Sequence, residues 1–474
     1  MTLRIILSLI FIGCTTHLSF CQAEISGDDV DDDALFIKDI HNYALTESST
    51  YVWLEHLATE CKGRLAGSAN AEKAVQYTKM IMDTLGFTST SLQPCKVKKW
   101  HRGDPESVNI SWRNNKKDGD QNKRLNALSL GNSYGTGPDG ITAEVIEVQG
   151  LDEVEKLGRS AIEGKIVFYN RPMDPTQLRT FHAYGGAVDQ RVWGASKAAE
   201  YGGVGAIVRS MTLRQDDYPH TGTMVYKEEF PKISSLAIST NDASFLSNLL
   251  KKEKVTMTVK NNCAPGEEAV SYNVIGEIEG TTYPDEIIVI GGHLDAWDVG
   301  GGAHDDGAGC AHSLGVIDIL NGIGYRPQRT IRCVMFMNEE NGLAGGKEYA
   351  RVSNEKGEYH LAALESDAGG FVPRGFSFDG HADVLKPFYA RVSKWLPLLE
   401  SYGLYFTTGG SGADIGPLKD QKGLLIGLRP DSQRYFDYHH TTIDQIEAVN
   451  KRELELGAAS MASLIYLIDK YGLK

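Results

Sequence analysis

The sequence has no basic stripe of the kind with which proteins bind nucleic acid. Its 474 residues carry a net charge of −14 at pH 7, and lysine and arginine are not clustered. Phosphate groups and anionic lipid surfaces repel a chain with this charge balance. We therefore expect no nucleic-acid partner and no attraction to an anionic membrane surface.

Long apolar runs are also scarce. The run near the start, Ile5–Ile12, follows Arg4 and precedes small and polar residues. It is too short to span a bilayer, and its flanks are those of a secretory signal, which we place at residues 1–22. Cys14 resembles the lipid-attachment cysteine of bacterial lipoproteins, which leaves a lipid anchor as an alternative. The sequence predicts a secreted or periplasmic protein without a membrane span.

Cysteines are few, and two of the seven, Cys14 and Cys21, lie in or beside the signal. The five that remain cannot form a complete disulfide set. Cys310 and Cys333 sit in apolar stretches and should be buried thiols. One bridge could form among the other three, which are Cys61, Cys95 and Cys263. No Cys-x-x-Cys occurs, so a metal site here would not use thiolates.

Two common hydrolase motifs are missing. Without a His-Glu-x-x-His helix, the single-zinc protease mechanism that this motif serves is excluded. The loop Gly409–Asp414 contains Ser411 but fails the Gly-x-Ser-x-Gly pattern at its last position, and no strand leads into it. Ser411 is therefore a poor nucleophile candidate. Asp414 is either a turn residue or a partner for a substrate ammonium group.

What the sequence does contain is four short apolar strands that are each followed by acidic or imidazole groups. We predict these strands at 287–290, 330–337, 360–364 and 423–428. Open α/β sheets bind ligands beyond the carboxyl ends of their strands, and carboxylates and imidazoles are zinc ligands. Any one of these residues alone could be a helix cap or a solvated loop residue. Together they can form a two-metal site with these ligands: His293, Asp305, Glu340, Asp367 and His440.

The order His-x-Asp, Asp-Asp-Gly, Glu-Glu, Glu-Ser-Asp and His-Thr-x-x-Asp resembles the co-catalytic zinc aminopeptidase and glutamate-carboxypeptidase family. The resemblance runs from about Ile37 to the end. Two stretches, His293–Gly300 and Tyr435–His440, are similar to one branch of that family in particular. The resemblance implies an α/β fold with a twisted mixed sheet flanked by helices. It also implies two zinc ions per chain and a homodimer.

The same resemblance implies how the ligands divide between the ions. One zinc would take His293 and Asp367. The other would take Glu340 and His440, with Asp305 shared as the bridging carboxylate. His439 is a rival for its neighbour, but the His-Thr-x-x-Asp motif begins at His440.

Two acidic residues are predicted to act beside the ligands. Glu339 is not needed as a ligand, so it is free to act as the general base. It follows a strand, where successive side chains point opposite ways, so only one of Glu339 and Glu340 should face the metals directly. Asp295 is expected to accept the second N–H of the His293 ring, unless it only stabilises a turn.

The chain divides into five predicted segments. After the signal at 1–22, residues 23–33 form an acidic solvated linker or pro-segment. A catalytic domain at 34–130 and 259–474 is interrupted by strand-rich residues 131–258. This insertion resembles the protease-associated domain of larger family members, and we expect it to form one wall of the active-site cleft. Its residues His182, Asp189 and His220 are isolated and are expected to be surface or structural.

These observations predict a secreted di-zinc exopeptidase that hydrolyses dipeptides or small peptides with a free terminus. One alternative is a glutaminyl-cyclase-like acyltransferase, which would keep one zinc. Another is a catalytically inactive receptor-like protein of the same fold, which would lose ligands or the base. Because all five ligands and Glu339 are present, the hydrolase is favoured. The recognised terminus and the preferred side chains do not follow from the ligands.

Overall fold

Two eight-stranded mixed sheets organise the chain in the computed structural model, which describes residues 27–113 and 119–474, without the side chains of 27–30. The strands are β1 (Ser89–His101), β2 (Ser107–Arg113), β3 (Asp120–Leu125), β4 (Ala127–Ser129), β5 (Ile141–Val148), β6 (Ile166–Tyr169), β7 (Gly205–Arg209), β8 (Ser234–Ile238), β9 (Val255–Lys260), β10 (Ala264–Ile278), β11 (Tyr283–His293), β12 (Arg329–Phe336), β13 (Tyr359–Glu365), β14 (Pro373–Gly380), β15 (Tyr405–Thr408) and β16 (Leu424–Pro430).

Helices flank the sheets, and short 3₁₀ turns occur at 393–395, 400–402, 416–421 and 446–448. The helices are α1 (Gly27–Thr46), α2 (Thr50–Thr59), α3 (Ala69–Thr84), α4 (Leu151–Leu157), α5 (Arg159–Ile162), α6 (Thr180–Gly185), α7 (Asp189–Glu200), α8 (Thr240–Leu250), α9 (Ala308–Gly322), α10 (Ala344–Lys356), α11 (Ala382–Val392), α12 (Leu396–Leu399), α13 (Tyr435–Tyr438) and α14 (Lys451–Tyr471).

The first sheet has the strand order β1-β10-β12-β11-β13-β16-β14-β15. The four strands predicted from the sequence are its central ones, and β12, β11, β13 and β16 run parallel as neighbours. Their apolar runs are buried, as expected for strands that are covered on both faces. Parallel neighbours end at the same edge, so the residues beyond them meet there. The predicted α/β fold with a twisted mixed sheet is confirmed.

The second sheet, β3-β2-β9-β5-β6-β7-β8-β4, is an insertion into the first. Its base is closed by β1 and β10, which pair antiparallel from Ser89 opposite Glu277 to His101 opposite Ala264. The boundary predicted at 130 is wrong, because β2 pairs with β9 and Val108 packs in the core of the second sheet. The chain leaves the first sheet after His101. The likeness of this insertion to a protease-associated domain stays a prediction.

The acidic run is not a linker over its described part, because residues 27–33 are the first turns of α1. Asp33 is fully buried and accepts hydrogen bonds from the Tyr466 and Tyr471 hydroxyls and from Lys470 Nζ, each at 2.6 Å. Its charge is thus held by α14 rather than by solvent. The predicted signal peptide lies outside the described residues. Within the described ranges, no helix is long and apolar enough to cross a membrane.

All five cysteines of the described residues are buried free thiols. The predicted burial of Cys310 and Cys333 is confirmed. A bridge among the other three does not form, because Cys61, Cys95 and Cys263 are each free.

Candidate metal centre

The edge of the first sheet brings the five predicted ligands together. His293 ends β11, and its Nε2 lies 3.2 Å from Asp305 Oδ1 and 3.6 Å from Asp367 Oδ1. His440 Nε2 lies 3.1 Å from Asp305 Oδ2 and 3.0 Å from Glu340 Oε2. The two carboxylate oxygens of Asp305 therefore face different histidines. Each histidine has one further carboxylate beside it, which is Asp367 for His293 and Glu340 for His440.

This donor set fits two metal ions that share a carboxylate. Three overlapping groups have ligand atoms within 4.8 Å of one another, and they draw on all five predicted ligands. One buried oxygen remains unpaired: Glu340 Oε1 has no hydrogen-bond partner among the described residues. Unpaired buried carboxylate oxygens are costly unless a cation neutralises them. Imidazole nitrogens and carboxylate oxygens are also the donors that zinc accepts.

The carboxylates around His293 and His440 strongly favour positive charge at the centre. Burial opposes protonation of His293, yet its hydrogen bonds to Asp305 and Asp367 raise its pKa well above the usual value. Burial likewise opposes the charged form of His440, while Glu340 and Asp305 raise its pKa to about 9. The same carboxylates that hold protons on these imidazoles would attract divalent cations.

The two adjacent glutamates differ in contacts rather than in direction. β12 ends at Phe336, and Asn338 has a φ of 74°, so Glu339 and Glu340 lie in a turn and not on a strand. Both side chains line the same cavity, so the alternation of a strand does not separate them, and the prediction that only one faces the metals directly stays a prediction. Glu340 touches His440, whereas Glu339 forms no ion pair with any described residue. Burial raises the pKa of Glu339 well above its usual value.

Known proteins are similar in sequence to this chain along most of its length. The pattern of peptidase family M28 matches residues 273–465. Carboxypeptidase Q from Bos taurus is 31% identical over 90% of this chain and 86% of its own length. The chain belongs to peptidase family M28. The predicted zinc metallopeptidase, a hydrolase, is thereby confirmed at the level of the family, and so is the likeness of the chain to carboxypeptidase Q.

Solved structures agree with this M28 assignment. A peptidase M28 precursor from Shewanella amazonensis is 31% identical, with a TM-score of 0.85 over 93% of this chain and 97% of that one. A zinc aminopeptidase from Bacillus subtilis shares the fold, with a TM-score of 0.62 at 18% identity over 88% of this chain and 94% of its own.

Asp295 holds the glutamate turn of this M28 peptidase. The N–H groups of Asn338 and Glu339 donate to Asp295 Oδ1 at 2.6 and 3.0 Å. The predicted contact of its carboxylate with the His293 ring does not form, since Nδ1 lies 4.0 Å from Oδ1. The main-chain carbonyl of Asp295 accepts the His293 Nδ1–H instead, at 3.0 Å. Asp295 therefore orients the His293 ring through its main-chain carbonyl and the turn at Asn338 and Glu339 through its side-chain Oδ1.

His440 is held by Thr221, which lies in the loop between β7 and β8 of the insertion. The carbonyl of Thr221 accepts its Nδ1–H at 3.3 Å, and the Thr221 N–H donates to the His440 carbonyl at 3.0 Å. His440 has a φ of 62°, a left-handed conformation that costs a non-glycine residue roughly 1–2 kcal/mol. Both Thr221 contacts hold it there. The rival His439 stacks on His440 and its Nε2 is 3.7 Å from Asp305 Oδ2, farther than the 3.1 Å of His440 Nε2.

Three further residues hold the loop that carries Asp305, and each is buried. Asp444 accepts from the N–H groups of His304 and Asp305 at 2.8 and 3.1 Å. Asp306 accepts from the His293 N–H at 3.1 Å, which ties the loop to β11. Arg64 is fully buried and donates to the carbonyls of Leu294, Gly301 and Gly302. Asp306 and Asp444 belong to the Asp-Asp-Gly and His-Thr-x-x-Asp motifs, whereas Arg64 stands in no motif.

The metal centre opens into a cavity of about 440 Å³ between the two sheets, which we call the cleft. The second sheet and its helices supply one wall, as predicted, with Asn132, Phe181, Tyr184, Arg191 and Thr223. Arg191 is only 5% exposed, and its Nε and Nη1 have no hydrogen-bond partner among the described residues. Sequence reasoning missed Arg191, because it stands in no motif.

The three isolated residues of the insertion have different surroundings. His182 is exposed. Asp189 pairs with Arg171. His220 is buried beside the metal centre, where burial and the nearby His440 lower its pKa to about 3. A neutral buried His220 fits the structural role that was expected.

Proposed function

We propose that this M28 peptidase is a secreted exopeptidase that hydrolyses dipeptides or small peptides with two zinc ions. The main support for the proposal is that the two oxygens of the Asp305 carboxylate face different histidines. Its Oδ1 faces His293, and its Oδ2 faces His440. His293 and Asp367 would hold one ion, and Glu340 and His440 the other. A bridging carboxylate suits ions roughly 3.5–4 Å apart.

When bound there, zinc supplies Lewis acidity that polarises the scissile carbonyl and lowers the pKa of a water molecule. The protein supplies the proton transfer. Glu339 lines the cleft without an ion-pair partner among the described residues, and it takes the proton from the attacking water. It then delivers this proton to the leaving amine. Asp295 holds Glu339 in place, because its carboxylate accepts a hydrogen bond from the Glu339 backbone N–H.

Arg191 supports recognition of a substrate carboxylate. Two of its nitrogens are buried without partners among the described residues, and an arginine fork matches the two oxygens of a carboxylate. A Cβ at Gly222 would clash with Arg191 and lie 2.7 Å from His440 Nδ1, so Arg191 sits at the His440 end of the centre. A short peptide with its carboxyl terminus on Arg191 would lie along the two ion positions. This arrangement favours a dipeptidase or carboxypeptidase over an aminopeptidase.

The alternatives require a different centre. A cyclase-like acyltransferase would keep one ion, and an inactive receptor-like protein would lack a ligand or the base. All five ligands cluster here, and Glu339 faces the cleft, which supports the hydrolase. Secretion rests on the N-terminal sequence. The homodimer rests on the resemblance alone, and light scattering at micromolar concentration would check it.

A dipeptide panel tests the proposed function. Each dipeptide is assayed with added zinc in free, N-acetylated and C-amidated forms. We expect cleavage of free dipeptides, and a loss of about 10-fold or more in kcat/KM on amidation, the size of a lost charged hydrogen bond. Metal analysis of the purified protein should find two zinc ions per chain. One ion would favour the acyltransferase and none the receptor, while cleavage of only internal bonds in long proteins would overturn the exopeptidase.

A further inference from the structure

Arg102 lies at the point where the chain leaves the first sheet for the insertion. It follows β1, which ends at His101, and precedes β2, which begins at Ser107. Its side chain is only 11% exposed, and it is neither a predicted metal ligand nor a proton carrier. A guanidinium buried to this extent is stable only when its charge and its five N–H donors have partners.

The partners of Arg102 come from both sides of the boundary between the sheets. Its Nε and Nη2 donate to the two carboxylate oxygens of Asp298 at 2.9 and 2.7 Å, which is a bidentate pair. Its Nη1 donates to Glu106 Oε1 at 3.1 Å and to the Ser129 carbonyl at 2.7 Å. Thr221 Oγ1 accepts a longer bond from Nη2 at 3.4 Å. One guanidinium thus joins a loop of the first sheet to residues of the insertion.

The Asp298 end of this network reaches the metal centre through Trp297. Asp298 lies in the loop between His293, which ends β11, and Asp305. Its neighbour Trp297 is buried and packs against the edge of the His440 ring, with the ring centroids 5.7 Å apart and an angle of 64° between the planes. A shift of Asp298 would therefore move the ring that lies against His440.

The opposite end of the network reaches the same histidine through Thr221. The backbone of Thr221 holds His440 by the two hydrogen bonds described above. The Thr221 hydroxyl donates to the Ser129 carbonyl at 2.8 Å, and this carbonyl also accepts from Arg102. Thr221 and the Asp298 loop therefore keep their spacing only while the contacts of Arg102 are intact.

We propose that Arg102 is a positioning residue for the ion of the His440 half of the metal centre. It holds the two supports of His440, which are the Trp297 ring and the Thr221 backbone, at a fixed distance from each other. The hydrogen bonds of His293 come from the first sheet and its loops, so the other ion should not depend on Arg102. The inference rests on the proposed function, because it requires a centre with two ions.

The experiment measures the two zinc affinities of the full chain by competition with a chelator, which needs no substrate. R102Q removes the bidentate pair and leaves a polar side chain. We expect it to weaken one ion by about 10- to 100-fold, as for other lost contacts that support metal-binding histidines, and to leave the second ion unchanged. R102K keeps the charge but not the fork, so it should lose less affinity than R102Q.

Asp298→Asn tests the same link from its other side, and it keeps the test decisive if R102Q fails to fold. The substitution keeps the size of the side chain and removes its charge, so it should weaken the same ion. The double variant R102Q/D298N should lose no more affinity than R102Q alone, since both changes break one pair. Losses that add in the double variant would show that the two residues act independently, which would overturn the inference.

R332Q is the matched control. The Arg332 side chain is also 11% exposed and also pairs with two carboxylates, those of Glu277 and Glu358. Glu358 immediately precedes β13, so this arginine lies toward the amino-terminal ends of the parallel strands, away from the metal centre. R332Q should lower the melting temperature and leave both zinc affinities at their wild-type values.

Three further outcomes would overturn the inference. Unchanged zinc affinities in R102Q would show that His440 does not depend on Arg102. Equal weakening of both ions would mean that Arg102 supports the whole fold and not one half of the centre. A loss in R332Q equal to that in R102Q would assign the effect to general stability. A wild-type protein that binds one zinc ion or none would instead refute the proposed function.

Discussion

The metal centre has two halves, one at His293 and one at His440. Both halves offer imidazole and carboxylate groups, but different parts of the protein hold the two histidines in place. His293 belongs wholly to the first sheet: it ends β11, its N–H donates to Asp306, and its ring donates to the Asp295 carbonyl. His440 lies in a loop after β16 and is held by Thr221, in the loop between β7 and β8 of the insertion. Thr221 is itself anchored, since its hydroxyl donates to the Ser129 carbonyl at 2.8 Å. One half is therefore a property of one sheet, and the other exists only when both sheets are in place.

The largest expected effect separates the base from the ligand of the His440 half. Glu339→Gln should lower kcat by about 10²–10⁴-fold and keep both zinc ions, because a base is lost and no ligand is. Glu340→Ala should lose the ion of the His440 half, and the melting temperature should fall with it, since bound metal stabilises the folded chain. Metal content, turnover and thermal melting of the two purified variants check this. Zinc lost in Glu339→Gln but kept in Glu340→Ala would reverse the roles.

A smaller effect tests whether the inserted sheet supports only one half. Gly222 has a φ of +133°, and a Cβ there would lie 2.7 Å from His440 Nδ1. Gly222→Ala should push His440 off its Thr221 contact and weaken one ion of the two by about 10- to 100-fold, as for other lost contacts to metal-binding histidines. Competition with a zinc chelator measures the two affinities.

Gly164→Ala is the control for that substitution. Gly164 also has a positive φ, +73°, but a Cβ there meets no atom within 4 Å. It introduces backbone strain into the same insertion without touching His440, so both zinc affinities should stay at wild-type values. If Gly222→Ala weakened both ions equally, the distinction between the halves would be lost.

The smallest expected effect concerns Arg191, which lies on the inserted side but binds no metal in our proposal. Arg191→Gln should lower kcat/KM for free dipeptides by about 10-fold while the protein keeps two zinc ions. The advantage of free over C-amidated dipeptides should shrink accordingly. Arg191→Lys keeps the charge but not the fork, so it should retain part of that advantage. An unchanged ratio of free to amidated rates in Arg191→Gln would contradict carboxylate recognition there.

Some predictions made from local sequence patterns failed or lost their basis because the folded structure places the residues differently. The acidic run has the composition of a solvated linker, yet Asp33 is buried against α14, more than 400 positions away at Tyr466. Alternation of side chains along a strand suggested opposite directions for Glu339 and Glu340. The strand stops at Phe336, and the turn that follows directs both side chains into the cleft.

The sequence by itself determined the parallel core of the first sheet and the cluster of predicted ligands at its edge. Buried strands need continuous apolar runs, and parallel neighbours end together, so side chains that follow such runs meet without further information. The tertiary structure alone decided that Thr221 supports His440, that Asp295 uses its carbonyl for His293, and that Arg191 faces the cleft. These contacts join residues of separate elements through single backbone or side-chain atoms, as Thr221 and His440 show at 219 positions apart. No periodicity or local spacing encodes such a contact, because it arises only when the inserted sheet packs against the first.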